Sequence, residues 1–211
     1  MKNKNLYVGI AFLVAFILWT LAVSFVGVEP IGPNGSEVGF AAMNLFFHEL
    51  TGVNFALYFI TDWLSLIPIA IAAGFGILGF IQLIKRRSFF KVDKNILILG
   101  GFYIAVLAFF VFFELSIINY RPVLIDGVLE ASYPSSTTML VSCIMLTANK
   151  ELDLRIKNES LKILIKISMI AFTVFMVAAR LVSGVHWLSD IIGGLLLSMG
   201  LVCLYYHLIN K

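Results

Sequence analysis

Long apolar runs are the feature that most constrains the fold of this chain. Five of them have the length of about 20 residues that an α-helix needs to cross the hydrocarbon core of a bilayer. They are residues 6–28, 63–84, 95–118, 161–182 and 187–209, and a sixth, shorter run covers residues 135–148. Since 61% of the 211 residues are hydrophobic and 13% are charged, a water-soluble surface could not be covered. We therefore predict an all-α polytopic membrane protein with six transmembrane helices in a single domain, residues 1–211.

Residues 38–50 and the first apolar run could each be something other than a transmembrane helix. Residues 38–50 are too few to span a bilayer and follow a turn rich in proline and glycine, so we expect an interfacial amphipathic helix after the first span. The first run is longer than the apolar part of a secretory signal and no small-residue cleavage site follows it. We therefore expect the first helix to be retained.

The basic residues indicate how the chain is oriented. Lysine and arginine concentrate on the cytoplasmic side of membrane proteins. Six spans place thirteen of the fifteen basic residues, together with both termini, on one side, and leave Arg121 and Arg180 on the other. We expect a plasma membrane protein, bacterial by its compact chain, with cytoplasmic termini and no nucleic-acid partner. The same outer side also receives several ionisable residues, namely His48, Glu114, Asp126, Glu130, His186 and Asp190.

Such residues are costly near hydrocarbon and are usually functional. His186 and Asp190 are four positions apart and would share one face of a helix. A carboxylate bound to one imidazole nitrogen leaves the other nitrogen free to attack an electrophile. Arg121 and Arg180 would offer planar forks that match phosphate oxygens and stabilise the charge of a phosphoryl-transfer transition state. This combination predicts a phosphoryl-transfer site on the outer face.

The residues around these positions form three short motifs, namely R-P at 121–122, P-S-S at 134–136 and R-x5-H-x3-D at 180–190. They resemble the signatures of the type 2 phosphatidic acid phosphatase (PAP2) superfamily of integral-membrane lipid phosphatases, K-x6-R-P, P-S-G-H and S-R-x5-H-x3-D. The resemblance implies a PAP2-like bundle whose substrate is a lipid phosphate drawn from the surrounding membrane lipids, with no metal or cofactor. It also implies that His186 is the nucleophile that forms a phosphohistidine, with Asp190 behind it. The implied phosphate ligands are Arg121, Arg180, Ser135 and the neighbouring Ser136.

The third motif keeps all its charged residues but has Ala179 where the family usually has serine. Two other departures bear on the implied chemistry. Glu114 occupies the place of the lysine and would repel phosphate unless it pairs with Arg121 or is protonated by burial. Thr137 occupies the place of the histidine that serves as general acid. Its hydroxyl can bind a phosphate oxygen, but losing a general acid costs about 10² to 10⁴ in rate. Either His48 supplies the proton instead, or the leaving group is a phosphate that departs with less protonation.

We therefore expect a membrane phosphatase that hydrolyses a lipid phosphate or diphosphate, of the polyprenyl diphosphate or of the phosphatidic acid and phosphatidylglycerophosphate type. The two departures support an alternative, a catalytically degenerate protein that binds lipid phosphates or assists a partner. A third alternative is a phosphotransferase, which passes the phosphoryl group to an acceptor other than water.

Overall fold

The computed structural model describes residues 3–211, so that Met1 and the basic residue Lys2 lie outside the described part. Eight α-helices account for most of it, and no sheet forms within the described residues. In chain order they are α1 Lys4–Phe25, α2 Ala41–Thr51, α3 Phe55–Leu64, α4 Leu66–Arg86, α5 Lys94–Leu115, α6 Ser136–Arg155, α7 Glu159–Val182 and α8 Leu188–Ile209. The predicted all-α class is confirmed, and a short helix, α2, forms where the interfacial helix was predicted.

Five helical segments are long and apolar enough to cross a membrane. They are α1, α5, α7, α8 and the pair α3–α4, which together run from Phe55 to Arg86 with a break at Ser65. The second span is therefore longer than the predicted 63–84. The reason is that Asp62 interrupts the apolar pattern in the sequence without interrupting the helix.

The sixth predicted span is α6, which differs from the others in its surroundings. Eleven of its twenty residues are buried, and it packs against α4, α5, α7 and α8. Its side chains meet protein instead of lipid, so α6 does not need the apolar surface of the outer helices. The six predicted spans therefore correspond to five apolar segments and to α6, a central helix that is more polar than the others.

The bundle has two chemically distinct ends. At one end, which we call the basic end, Arg86 pairs with Asp93 at 2.8 Å, and Arg155 lies 3.9 Å from the same carboxylate. These contacts join the α4–α5 loop to the end of α6. Asn5 and Asn210 line a cavity at the end of α6 as well, so both chain ends lie here. The opposite end holds the loops that carry Arg121 and His186.

The outer helix α1 packs closely along the central helix α8 through small residues. A Cβ atom at Gly200 would lie 2.7 Å from Cδ2 of Leu13 and 3.2 Å from its backbone nitrogen. A Cβ atom at Gly9 would lie 3.1 Å from the carbonyl oxygen of Gly200. Small residues that let backbones approach are a common basis of helix association in membranes.

Gly200→Val should therefore destabilise the protein. Overpacking a core costs about 1–3 kcal/mol, which corresponds to a loss of about 2–10 °C in melting temperature for a chain of this size. The measurement is thermal unfolding in detergent. The matched control is Gly74→Val, because a Cβ atom at Gly74 meets nothing within 4 Å. Equal melting temperatures for the two variants would contradict the close contact of α1 and α8.

Candidate active site

The loop between α7 and α8 carries His186 and is held by the turn between α2 and α3. The backbone N–H of Asn54 donates to the carbonyl of Ser183 at 2.9 Å. Gly184 has a φ of +67°, and a Cβ atom there would overlap the carbonyl oxygen of Gly52. Glycine suits both the left-handed conformation and the close approach. The turn therefore fixes the loop that presents His186.

His186 is 3% exposed, and its two ring nitrogens face different groups. Nδ1 lies 3.7 Å from Oδ2 of Asp190, and Nε2 lies 3.2 Å from Nη1 of Arg121. The first distance is longer than a hydrogen bond, so the carboxylate lies beside the ring without a hydrogen bond to it. Burial, and after it the charges of Arg121 and Arg180, hold the pKa of His186 well below its usual value. The imidazole is therefore neutral near pH 7.

The Asp190 carboxylate is fully buried near the start of α8 and is held by three donors. The backbone N–H of Trp187 donates to Oδ2 at 3.0 Å. The side chains of Asn119 and Ser189 donate to Oδ1 at 3.3 and 3.4 Å. The first turn of a helix also favours negative charge. These contacts fix the carboxylate on the Nδ1 side of the imidazole.

The guanidinium group of Arg180 is buried at the end of the bundle that carries the site, where the residue is 2% exposed. Its Nη2 donates to Oγ1 of Thr137 at 2.7 Å and to Oδ1 of Asp62 at 3.1 Å. The group lies 4.8 Å from the centre of the Tyr58 ring. Among the described residues, Nε and Nη1 of Arg180 are buried without a hydrogen-bond partner. Buried donors that lack a partner are costly, and a bound anion would satisfy them.

Arg121 approaches the same space from the α5–α6 loop. The backbone N–H of Arg121 donates to the carbonyl of Glu130 at 3.0 Å, which brings the two side chains together. Nε of Arg121 then lies 2.9 Å from Oε2 of Glu130. Like Arg180, Arg121 faces the Tyr58 ring, 5.9 Å from its centre. The two guanidinium groups therefore lie around one aromatic ring, next to His186.

The start of α6 contributes the residues of the second motif. Ser135 is the N-cap of α6, where its side chain accepts from the backbone N–H of Thr138 at 3.4 Å. Its own N–H donates to the carbonyl of Asp190 at 3.0 Å, which joins α6 to α8 at the site. Ser136 lines a cavity of about 10 Å³ together with His186 and Glu114. The hydroxyl of Thr137 contacts Arg180, as described above.

Glu114 neither pairs with Arg121 nor is buried. Arg121 pairs with Glu130 instead, and Glu114 is exposed. The carboxylate still borders the small cavity beside His186. The Arg121 side chain points toward Val185, whose carbonyl lies 3.5 Å from Nη1.

His48, the candidate substitute for the missing acid, lies on α2 next to the site loop. Its ring packs on Trp187 with 5.4 Å between the ring centres. Its Nδ1 is buried without a hydrogen-bond partner in residues 3–211. Partial burial lowers the pKa of His48, and Glu49 opposes this shift. Within the described residues, His48 therefore contacts the neighbour of His186 and has no hydrogen bond to His186 itself.

Sequence reasoning missed several residues of the site. Asp62, which binds Arg180, is an acidic residue inside a long apolar segment, and that position alone is a sign of function. Asn119 carries no such signal. Glu130 was expected on the outer side, but only the pairing of the α5–α6 loop brings it to Arg121. Tyr58 is hidden among other apolar residues of α3.

Comparison with known proteins agrees with this geometry. A family model described as the PAP2 superfamily matches residues 112–211, the region that contains all three motifs. A crystal structure described as the first transmembrane PAP2 type phosphatidylglycerolphosphate phosphatase from Bacillus subtilis shares 19% identity with this chain. The likeness covers 97% of this chain and 95% of that chain with a TM-score of 0.55. No curated protein sequence matches.

At this identity the structural likeness is one of fold, while the family match covers the motifs that build the site. The C-terminal part of this multi-pass membrane protein, residues 112–211, therefore matches the PAP2 superfamily, and the chain as a whole has the fold of the transmembrane PAP2 type phosphatase.

Proposed function

We propose that this protein hydrolyses a lipid phosphate or lipid diphosphate through a phosphohistidine on His186. The observation that carries the proposal is the position of a neutral, buried imidazole beside two arginines, both of which have buried N–H donors that make no hydrogen bond within the described residues. This arrangement suits a phosphate dianion, since guanidinium groups bind its oxygens and stabilise the transition state.

The chemistry would proceed in two steps. In the first, Nε2 of His186 forms a bond to phosphorus while the bond from phosphorus to the leaving oxygen breaks and the lipid group departs with the electron pair. Arg121, which contacts Nε2 in the free protein, turns to the phosphate oxygens, and Asp190 stabilises the positive charge that develops on the ring. In the second step water attacks phosphorus, the bond to nitrogen breaks, and inorganic phosphate leaves.

Thr137 bears on the choice of substrate. Its hydroxyl accepts from Arg180 and does not ionise near neutral pH, so it cannot protonate a lipid alkoxide. A diphosphate needs less protonation of its leaving group, because the departing phosphate is a weaker base than an alkoxide. A polyprenyl diphosphate is therefore the substrate that the present residues serve best, and a lipid monophosphate would react more slowly.

The position of the site favours the outer face of a bacterial plasma membrane. Arg121 and Arg180 lie at the opposite end of the bundle from the other basic residues that the structure describes, and lysine and arginine concentrate on the cytoplasmic side. The substrate would enter from the outer leaflet, with its chain in lipid and its phosphate between the arginines.

A second candidate is a protein that binds lipid phosphates without hydrolysis. It is favoured by the exposed carboxylate of Glu114 beside His186, which would repel an incoming phosphate. The phosphotransferase alternative uses the same first step and differs in the acceptor of the second.

His186→Ala should abolish phosphate release. Removing a nucleophile from a coupled catalytic group typically costs about 10³-fold or more. The measurement is release of inorganic phosphate in detergent micelles from a polyprenyl diphosphate and from a lipid monophosphate. The matched histidine control is His48→Ala, which should retain activity within a few-fold. Identical release from wild type and His186→Ala would contradict the proposal.

Thr137→His should raise the rate with the lipid monophosphate more than the rate with the diphosphate. A general acid contributes about 10² to 10⁴ in rate when the leaving group needs a proton. Adding Glu114→Lys should lower the KM for both substrates, because it removes a repelling charge next to His186. A wild-type protein that binds both lipids without turnover, and gains none from these changes, would establish the non-catalytic alternative.

A further inference from the structure

A large apolar groove lies between α4 and α5, away from the candidate active site. Its volume is about 680 Å³, and it extends from Ala72 and Ile104 near the middle of the bundle to Phe89 and Val92 at the basic end. None of its lining residues borders the small cavity at His186. The groove is therefore a separate feature of the fold.

Glycines keep this groove open. Gly76 on α4 and Gly100 on α5 both line it, and a Cβ atom at either position would meet nothing within 4 Å. The helices approach closely beside it, where a Cβ atom at Gly79 would lie 2.9 Å from Cγ2 of Ile96. The space is thus bounded by a tight contact and is not a general separation of the two helices.

The depth of the groove matches one leaflet of a bilayer. On α4 it extends over the eleven residue steps from Ala72 to Leu83, a rise of about 17 Å at 1.5 Å per residue. Half of the hydrocarbon core of a bilayer is about 15 Å. A transmembrane helix of a partner would contact the bundle over the full core, about twice this length. The dimensions therefore fit an acyl chain from the leaflet at the basic end.

The mouth of the groove carries more positive charge than its one acidic residue, Asp93, can neutralise. Five of the ten residues from 85 to 94 are basic, and all five are exposed. Arg86 is paired with Asp93. In the part of the chain that the structure describes, Arg87, Lys91 and Lys94 make no ion pair. Basic clusters next to apolar surface between membrane helices favour anionic lipid head groups.

We propose that this groove binds an anionic phospholipid of the inner leaflet, with one acyl chain between α4 and α5 and its head group on Arg87, Lys91 and Lys94. The site is distinct from the one that binds the substrate phosphate, because it lies at the opposite end of the bundle and shares none of its residues. The bound lipid would fill the space that Gly76 and Gly100 leave open beside the close contact of α4 and α5.

Native mass spectrometry of the detergent-purified protein tests this proposal with two probes, phosphatidylglycerol and phosphatidylcholine of identical chains. The wild type should bind phosphatidylglycerol more tightly. Gly76→Leu with Gly100→Leu fills the groove and should weaken that binding about tenfold. Gly74→Leu is the matched control, since Gly74 has the same open surroundings on α4 but does not line the groove.

Charge variants test the head-group contact. Arg87→Gln and Lys91→Gln should each weaken binding of phosphatidylglycerol about fivefold and leave binding of phosphatidylcholine unchanged. Lys157→Gln is the control, because Lys157 is an exposed lysine of the α6–α7 loop outside the groove. Equal affinity for the two lipids, or no difference between the filled variant and Gly74→Leu, would overturn the proposal.

A second measurement needs no substitution and covers the case in which the filled variant fails to fold. Phosphatidylglycerol with a photoreactive diazirine in one acyl chain is added to the wild-type protein and crosslinked by light. Peptides that contain the groove residues of α4 and α5 should carry the label, and excess unlabelled phosphatidylglycerol should remove it. Labelling spread evenly over all the outer helices would overturn the proposal.

Discussion

The buried charge of Arg180 is the constraint on which the site end of this protein depends. A guanidinium group that is 2% exposed must find partners, since an unpaired buried charge is strongly destabilising. Its partners are Asp62, Thr137 and the face of Tyr58, which come from α3, α6 and α3 again. One side chain of α7 therefore joins three helices at the mouth of the site. Two of its donors, Nε and Nη1, make no hydrogen bond in the described part of the chain, which is the basis for the phosphate-binding role proposed above.

The need to partner and shelter buried polar groups also explains why some helices are central and others face lipid. Polar groups that position the site must be kept from lipid, and the central helices α6 and α8 provide that shelter. In the most apolar stretch of α8, 61% of the residues are buried, against 22% or less in the other four apolar segments. The outer helices supply the lipid-facing surface. Near the basic end a second buried group, the carboxylate of Glu151, accepts from the hydroxyl of Tyr205 at 2.7 Å and ties α6 to α8.

Much of the architecture could be predicted because hydropathy and helical periodicity are local properties. The apolar runs predicted the spanning helices, and the proline and glycine turn predicted the interfacial helix α2. The predicted start of the second span was less accurate, because the acidic residue Asp62 interrupts the apolar run and the first turns of α3 were therefore left out of it. The more polar helix α6 was recognisable only as a short run, because protein and not lipid surrounds it. Its length of twenty residues became evident from the packing.

The sequence by itself determined which groups are available for chemistry. The spacing of Arg180, His186 and Asp190 placed a histidine, its carboxylate and an arginine around one helix junction. Only the tertiary structure decided how these groups are paired. Arg121 meets Glu130 and not Glu114, and Arg180 meets Asp62, which is 118 positions away in the chain. The reason is physical: spacing along a helix sets which residues share a face, whereas ion pairs between distant segments depend on how the helices pack and where the loops return.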